Sequence, residues 1–269
     1  MNLLQWLIPW EPSAVVIIAM GATAFLYIAG CARYPGCFWQ KNYFWLGLAS
    51  LYIALQTQFD YYSEHAFFMH RLQHAVLHHL GPFLIALSNP GAALAAGLPM
   101  RWRQKGTAFL TLASIQYAIS FLVDPIVAVL LFSGLILLWL VPHIHLVAML
   151  DWRLYRVMNW SMALNGLVFW SLVLSPSARH SAGCRIMMML AIIPPQIAIG
   201  ALLFLSPHDL YPVYSLCGRI FAGLSPLADQ QTGGLILWIC GAMTSAIGIL
   251  IVASREWMSD KATALVHRA

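Results

Sequence analysis

The stretch Glu64 to His79, EHAFFMHRLQHAVLHH, decides the reading of this chain, together with the apolar run LGPFLIAL that follows it. Five of the ten histidines fall inside it. If residues 65 to 88 form one helix, those imidazoles lie at bilayer depth. Ionisable groups are costly there, so such a helix reads as a functional site. His70, His74 and His78 recur at i, i+4 and i+8, which aligns them along one stripe of a helix. His65 and His79 point away from that stripe. A line of imidazoles with Glu64 at its mouth reads first as a metal site.

Composition agrees with the lipid setting. Of 269 residues, 61% are hydrophobic and 9% charged, against about a quarter charged in soluble domains. The apolar runs are long enough for membrane-spanning helices, and the length suits one integral membrane domain over 1–269. The net charge of +5 is no nucleic-acid signal, because the few basic residues sit between apolar runs and orient them. The opening MNLLQWLIPWEPS lacks the positive start of a cleavable signal peptide, so the first helix is expected to be retained. Five cysteines, with no metal-type spacing between Cys31 and Cys37, supply no disulfide framework. Cys184, Cys217 and Cys240 read as structural.

Outward from the histidine helix, seven spans are expected, at about 13–30, 42–59, 65–88, 124–141, 159–174, 185–205 and 233–254. Only Asp60 to Glu64 separate the second from the third, which makes them a tight antiparallel pair. Asp124-Pro125 is a helix start, a capping carboxylate followed by proline at the first turn. Residues 106–122 carry recurring Thr, Ser and Gln and read as a helix lying at the interface. Residues 142–158 read as a loop. Pro194-Pro195 should kink the sixth span. Arg33, Lys41, Arg101, Arg103, Lys105, Arg179, Arg185, Arg255, Lys261 and Arg268 fall on one side, and only Arg153, Arg156 and Arg219 on the other. The positive-inside rule then places the N-terminus outside and the C-terminus in the cytoplasm.

That orientation turns Glu64, His65, His143, His145, Asp151, His208, Asp209 and Asp229 outward. The candidate metal residues are therefore His70, His74, His78, His143, Glu64 and Asp229. Histidine with few carboxylates favours copper over iron or zinc. Arg71 is expected to snorkel outward or to pair with Asp60 or Glu64. His79 and His267 read as structural histidines that bond across helices. Two other readings stay open. HRLQH and HAVLHH also look like the histidine boxes of membrane di-iron desaturases, although here they overlap on one helix. A structural partner protein with no metal at all is the other.

HRLQHAVLHHLGPFLIALSNP resembles the histidine helix of the multi-spanning CtaG family, assembly factors of cytochrome c oxidase. WLVPHIHLVAML through NGLVFW, and PPQIAIGALLFLSPHDLYPVY through LADQQTGGLILW, extend the resemblance over most of residues 60 to 240. It implies a non-catalytic role in maturing a haem–copper respiratory oxidase in the plasma (inner) membrane, with copper as the ion handled. The partners it implies are oxidase subunits and a periplasmic copper chaperone, in the lipid bilayer and without nucleic acid. His70 and His74 match the family's paired histidines, and Asp229 its acidic residue before the glutamines. The chain departs from that pattern in three places. Arg71 stands for a methionine, Leu140 for a histidine after Trp139, and Tyr155, Arg156 and Asn159 where a histidine pair is common. His143, His145 and His78 are the substitutes the sequence offers.

Overall fold

The computed structural model describes residues 8–34, 38–176, 179–216 and 218–266. Cys37, Cys217, His267 and Arg268 lie outside them. Every regular element among the described residues is helical. In chain order these are α1 Ala14–Cys31, α2 Phe38–Gln56, α3 Gln58–His65, α4 Phe67–Ala75, a π turn Val76–Leu80, α5 Gly81–Ser88, α6 Gly91–Gly97, α7 Met100–Leu110 and α8 Ala113–Leu122. They continue as α9 Pro125–Leu140, α10 Pro142–Leu150, α11 Trp152–Leu174, α12 Ala182–Ala191, α13 Ile193–Leu205, α14 Val213–Leu216 and α15 Pro226–Val266.

Four of these stretches are long and apolar enough to cross a membrane: α1, α11, α12 with α13, and the 226–259 part of α15. The number rises to six if two bent pairs, 67–88 with α6 and α8 with α9, each count as one span. The sequence expectation was seven. The difference is α2, whose first turns carry Gln40, Lys41 and Asn42 and dilute its apolar run. Within the apolar window of α1 only 17% is covered by protein, against 50% in α11. A helix apolar all round and so little covered by protein must be covered by lipid. α11 is the central post.

Local chemistry explains the breaks. Asp124 caps α9 as expected, its Oδ1 accepting from the backbone N–H groups of Ile126 and Val127 at 3.0 Å each. Asp151 caps α11 in the same way, so that helix begins at Trp152 rather than near 159. The stretch expected as a loop from Pro142 is helix α10. It starts on a proline at the first turn, where the missing N–H costs nothing. Residues 106–122 are divided between α7 and α8, neither of which buries a residue, and α8 meets α9 at 68°. The proline pair breaks the sixth span at Ile192, between α12 and α13. α13 and α15 meet through glycines. A Cβ on Gly200 would lie 2.7 Å from the Gly234 carbonyl oxygen, and one on Gly234 the same distance from that of Gly200.

The histidine stretch is not one helix. Ala66 is extended, so His65 belongs to α3 and donates from Nδ1 to the Tyr61 carbonyl at 2.7 Å. Further on, Pro82 has no N–H to give the carbonyl four residues back, which is that of His78. The helix widens into the π turn there, and Gly81 N–H reaches the Val76 carbonyl instead. The indole N–H of Trp170 on α11 takes up the His78 carbonyl at 3.0 Å. Gly166, one turn earlier, makes that approach feasible: a Cβ there would lie 2.5 Å from the same oxygen and 2.9 Å from Pro82 Cγ.

Candidate metal site

His70 and His74, four residues apart on α4, have ring centroids 4.3 Å apart. His70 is fully buried, and neither of its ring nitrogens has a hydrogen-bond partner. Around it stand the rings of His145 at 5.1 Å, Tyr155 at 6.0 Å and Tyr214 at 6.3 Å. His74 differs: its Nε2 bonds Asn159 Oδ1 on α11 at 3.2 Å, while its Nδ1 is buried and unpartnered. An amide oxygen only accepts, so the proton is on Nε2 and the free lone pair is on Nδ1.

His78 repeats this arrangement. Its Nε2 bonds Asn165 Oδ1 on α11 at 3.0 Å, its Nδ1 is unpartnered, and its ring stacks on Phe132 at 3.8 Å. The π turn has taken it off a straight stripe with His70 and brought His79 inward as well. His79, expected to face away, is buried and lies 5.2 Å from the Phe132 ring.

The other candidate residues are placed elsewhere. His143 is exposed and lines a surface hollow with Leu210, Pro212 and Val213. Its neighbour His145 is the buried one, but both of its nitrogens are engaged. Nδ1 donates to the Trp139 carbonyl at 2.9 Å, and Nε2 accepts from the Tyr214 hydroxyl at 2.9 Å. Asp229 holds the start of α4, where its carboxylate accepts from the N–H groups of Phe67 at 3.2 Å and Phe68 at 2.8 Å. Arg219 adds an ion pair to it at 3.4 Å. A carboxylate at a helix N-terminus satisfies orphan donors and meets the positive end of the dipole. Arg71 neither snorkels nor pairs with Asp60 or Glu64. It is 3% exposed, its Nε and Nη2 have no partner, and its guanidinium lies 5.2 Å from the Phe67 ring centre.

Glu64 lines a separate outer cavity of about 320 Å³, with Glu11, Asp60, His65, Tyr155 and Arg156. Asp60 sits at its floor, accepting from the Tyr155 hydroxyl at 2.7 Å and from Gln73 Nε2 at 2.6 Å. Burial raises its carboxyl to about 6, against the lowering pull of those two hydrogen bonds. Burial, then the charges of Asp60 and Glu11, raise Glu64 to about 7. Tyr155 and Asn159 belong to the cavity wall and also touch the histidines, so they separate the two compartments. Among the described residues no group of three or more His, Cys, Asp or Glu is arranged to hold a metal ion. What the interior offers is unpartnered imidazole nitrogen without carboxylate.

Sequence reasoning missed the roles of Asn159 and Asn165. Both lie on α11, the helix that faces the histidines, but an asparagine gives no periodic signal. For the π turn a signal existed: a proline four residues after His78.

A lipid-covered helical bundle enclosing a buried polar seam is a multi-pass membrane protein. Residues 23–260 match the model of the cytochrome c oxidase caa3 assembly factor family (Caa3_CtaG), and the chain belongs to that family. Neither a search of curated proteins nor one of solved structures returned a match. The family is one of cytochrome c oxidase assembly factors, which implies an oxidase as the partner.

Proposed function

We propose that this protein assists maturation of a haem–copper oxidase by holding copper on the histidine helix. The observation that carries the reading is the set of buried imidazole nitrogens without partners: both on His70, Nδ1 of His74 and Nδ1 of His78. A buried polar group left unsatisfied costs about 1–3 kcal/mol, and a chain that keeps four such nitrogens together has a use for them. Neutral imidazoles suit copper, and monovalent copper accepts two donors where structural zinc takes four. A di-iron reading lacks carboxylates at the histidines: Asp229 is committed to backbone N–H groups, and Asp60 to Tyr155 and Gln73.

The membrane setting of this reading is a seven-span arrangement in the plasma membrane, with α2 crossing beside the 67–88 segment and the N-terminus outside. The concentration of basic residues in the loops of one side supports it. The outer cavity then faces the compartment from which a periplasmic copper chaperone would deliver.

The test is metal analysis of protein purified in mild detergent after anaerobic loading. The wild type should retain about one copper per chain, as the single histidine seam requires. The double variant His70→Ala, His74→Ala should retain none. Copper unchanged in that variant overturns the reading. In cells lacking the gene the oxidase should be made but copper-deficient; oxidase with normal copper content would leave only a metal-free chaperone role.

A further inference from the structure

Arg71, His74, His78, His79 and Cys240 line one small void of about 10 Å³ within the bundle. Five buried nitrogens without partners belong to these residues: Nε and Nη2 of Arg71, and Nδ1 of His74, His78 and His79. A void of this size holds about one atom. His74 and His78 are matched within it. Each has its Nε2–H bound by an asparagine oxygen from α11, Asn159 at 3.2 Å and Asn165 at 3.0 Å. Each therefore presents an Nδ1 lone pair. An outer partner that fixes the imidazole tautomer in this way is the usual companion of a metal-ligating histidine. His70 has no such partner on either nitrogen, and His145 has no lone pair left.

Arg71 sets the charge that the void tolerates. Among the described residues the one ion pair joins Arg219 to Asp229, so no carboxylate neutralises the Arg71 guanidinium. Repulsion between buried charges scales with their product and is weakly screened in a low-dielectric interior. A divalent ion beside Arg71 meets twice the repulsion of a monovalent one.

The geometry points to a monovalent-copper site formed by Nδ1 of His74 and Nδ1 of His78, with Asn159 and Asn165 as positioning residues and Arg71 excluding divalent ions. This deepens the copper reading above and rests on it. It places the ion one turn below His70 and makes the arginine a selectivity device.

The experiment is anaerobic titration of the full-length purified protein with Cu⁺ buffered by a chromophoric chelator, alongside Zn²⁺ and Co²⁺. Wild type should bind Cu⁺ and neither divalent ion. Asn165→Leu should weaken Cu⁺ binding about 10- to 100-fold, the usual cost of losing an outer partner, and Asn165→Asp should restore it because a carboxylate also accepts. Arg71→Met should keep Cu⁺ and gain Co²⁺, visible in the cobalt absorption bands. Helical content and elution volume verify that each variant folds, and Asn165, at the edge of the bundle, is the more tolerant position. If wild type binds Cu⁺ but Asn165→Leu binds it equally tightly, or Arg71→Met admits no divalent ion, this inference is overturned while the copper reading stands. If wild type binds no Cu⁺ at all, both are overturned.

Discussion

The interior void and the outer cavity lie on either side of Tyr155 and Asn159, and they are opposite in chemistry. The cavity is roomy, holds Glu11, Asp60 and Glu64, and its floor carboxylate is bonded by Tyr155 and Gln73. The void has a volume of about 10 Å³, holds imidazoles and a guanidinium, and leaves five nitrogens unpartnered. Carboxylates suit hard cations, whereas neutral imidazole suits copper and other borderline transition metals. In the copper reading proposed above, the two compartments divide the labour: the outer one gathers and the inner one selects. That reading assigns binding to the inner one because five of its nitrogens have no partner, whereas Asp60 is already satisfied.

The widest way to break this contrast is to remove the inner donors. His74→Ala with His78→Ala should lower copper affinity more than 100-fold by chelator competition, beyond the loss expected for an outer partner alone. Retained copper would move binding to the cavity. The packing beneath the void comes next. Gly166→Val puts atoms where the His78 carbonyl and Pro82 now lie. Overpacking of this kind costs about 1–3 kcal/mol, so thermal unfolding should come earlier and copper binding should weaken with it. Asp229→Ala, which removes the cap of α4, should cost about 1 kcal/mol, or about 2–4 °C in melting temperature. If Asp229 were a ligand, copper would be lost as well.

The smallest effect lies in the cavity. Glu64 is raised to about 7 from an ordinary 4.5. Between those values the folded protein holds a proton that the unfolded chain releases, so stability is greater on the acid side. It falls as pH rises through that window. Glu64→Gln should flatten this slope, narrowing the difference in melting temperature between pH 5 and pH 8 by about 2 °C. An unchanged slope would assign it to Asp60.

Much of this was legible in the chain because lipid imposes long apolar runs, and an imidazole stripe inside one is conspicuous. The cap at Asp124 and the break at Pro194-Pro195 follow from local chemistry and appear as expected. What was not legible depends on partners distant in sequence. Asp229 reads as a metal candidate, and only the fold shows its oxygens accepting from Phe67 and Phe68, 162 and 161 residues away. Arg71 invites a carboxylate partner, and only packing shows that none is there. The segment from Pro142 reads as a loop because its proline and two histidines are polar punctuation, yet that proline starts α10 and buries His145. Asn159 and Asn165 acquire meaning only when α11 lies against the π turn.

The most direct test of the central claim is X-ray absorption at the copper edge on purified protein loaded anaerobically. The account predicts monovalent copper in a low-coordinate shell of imidazole nitrogens, lost in the His74→Ala, His78→Ala variant. A shell of four or more light donors dominated by carboxylate oxygen, unchanged in that variant, would place the ion in the outer cavity and contradict it.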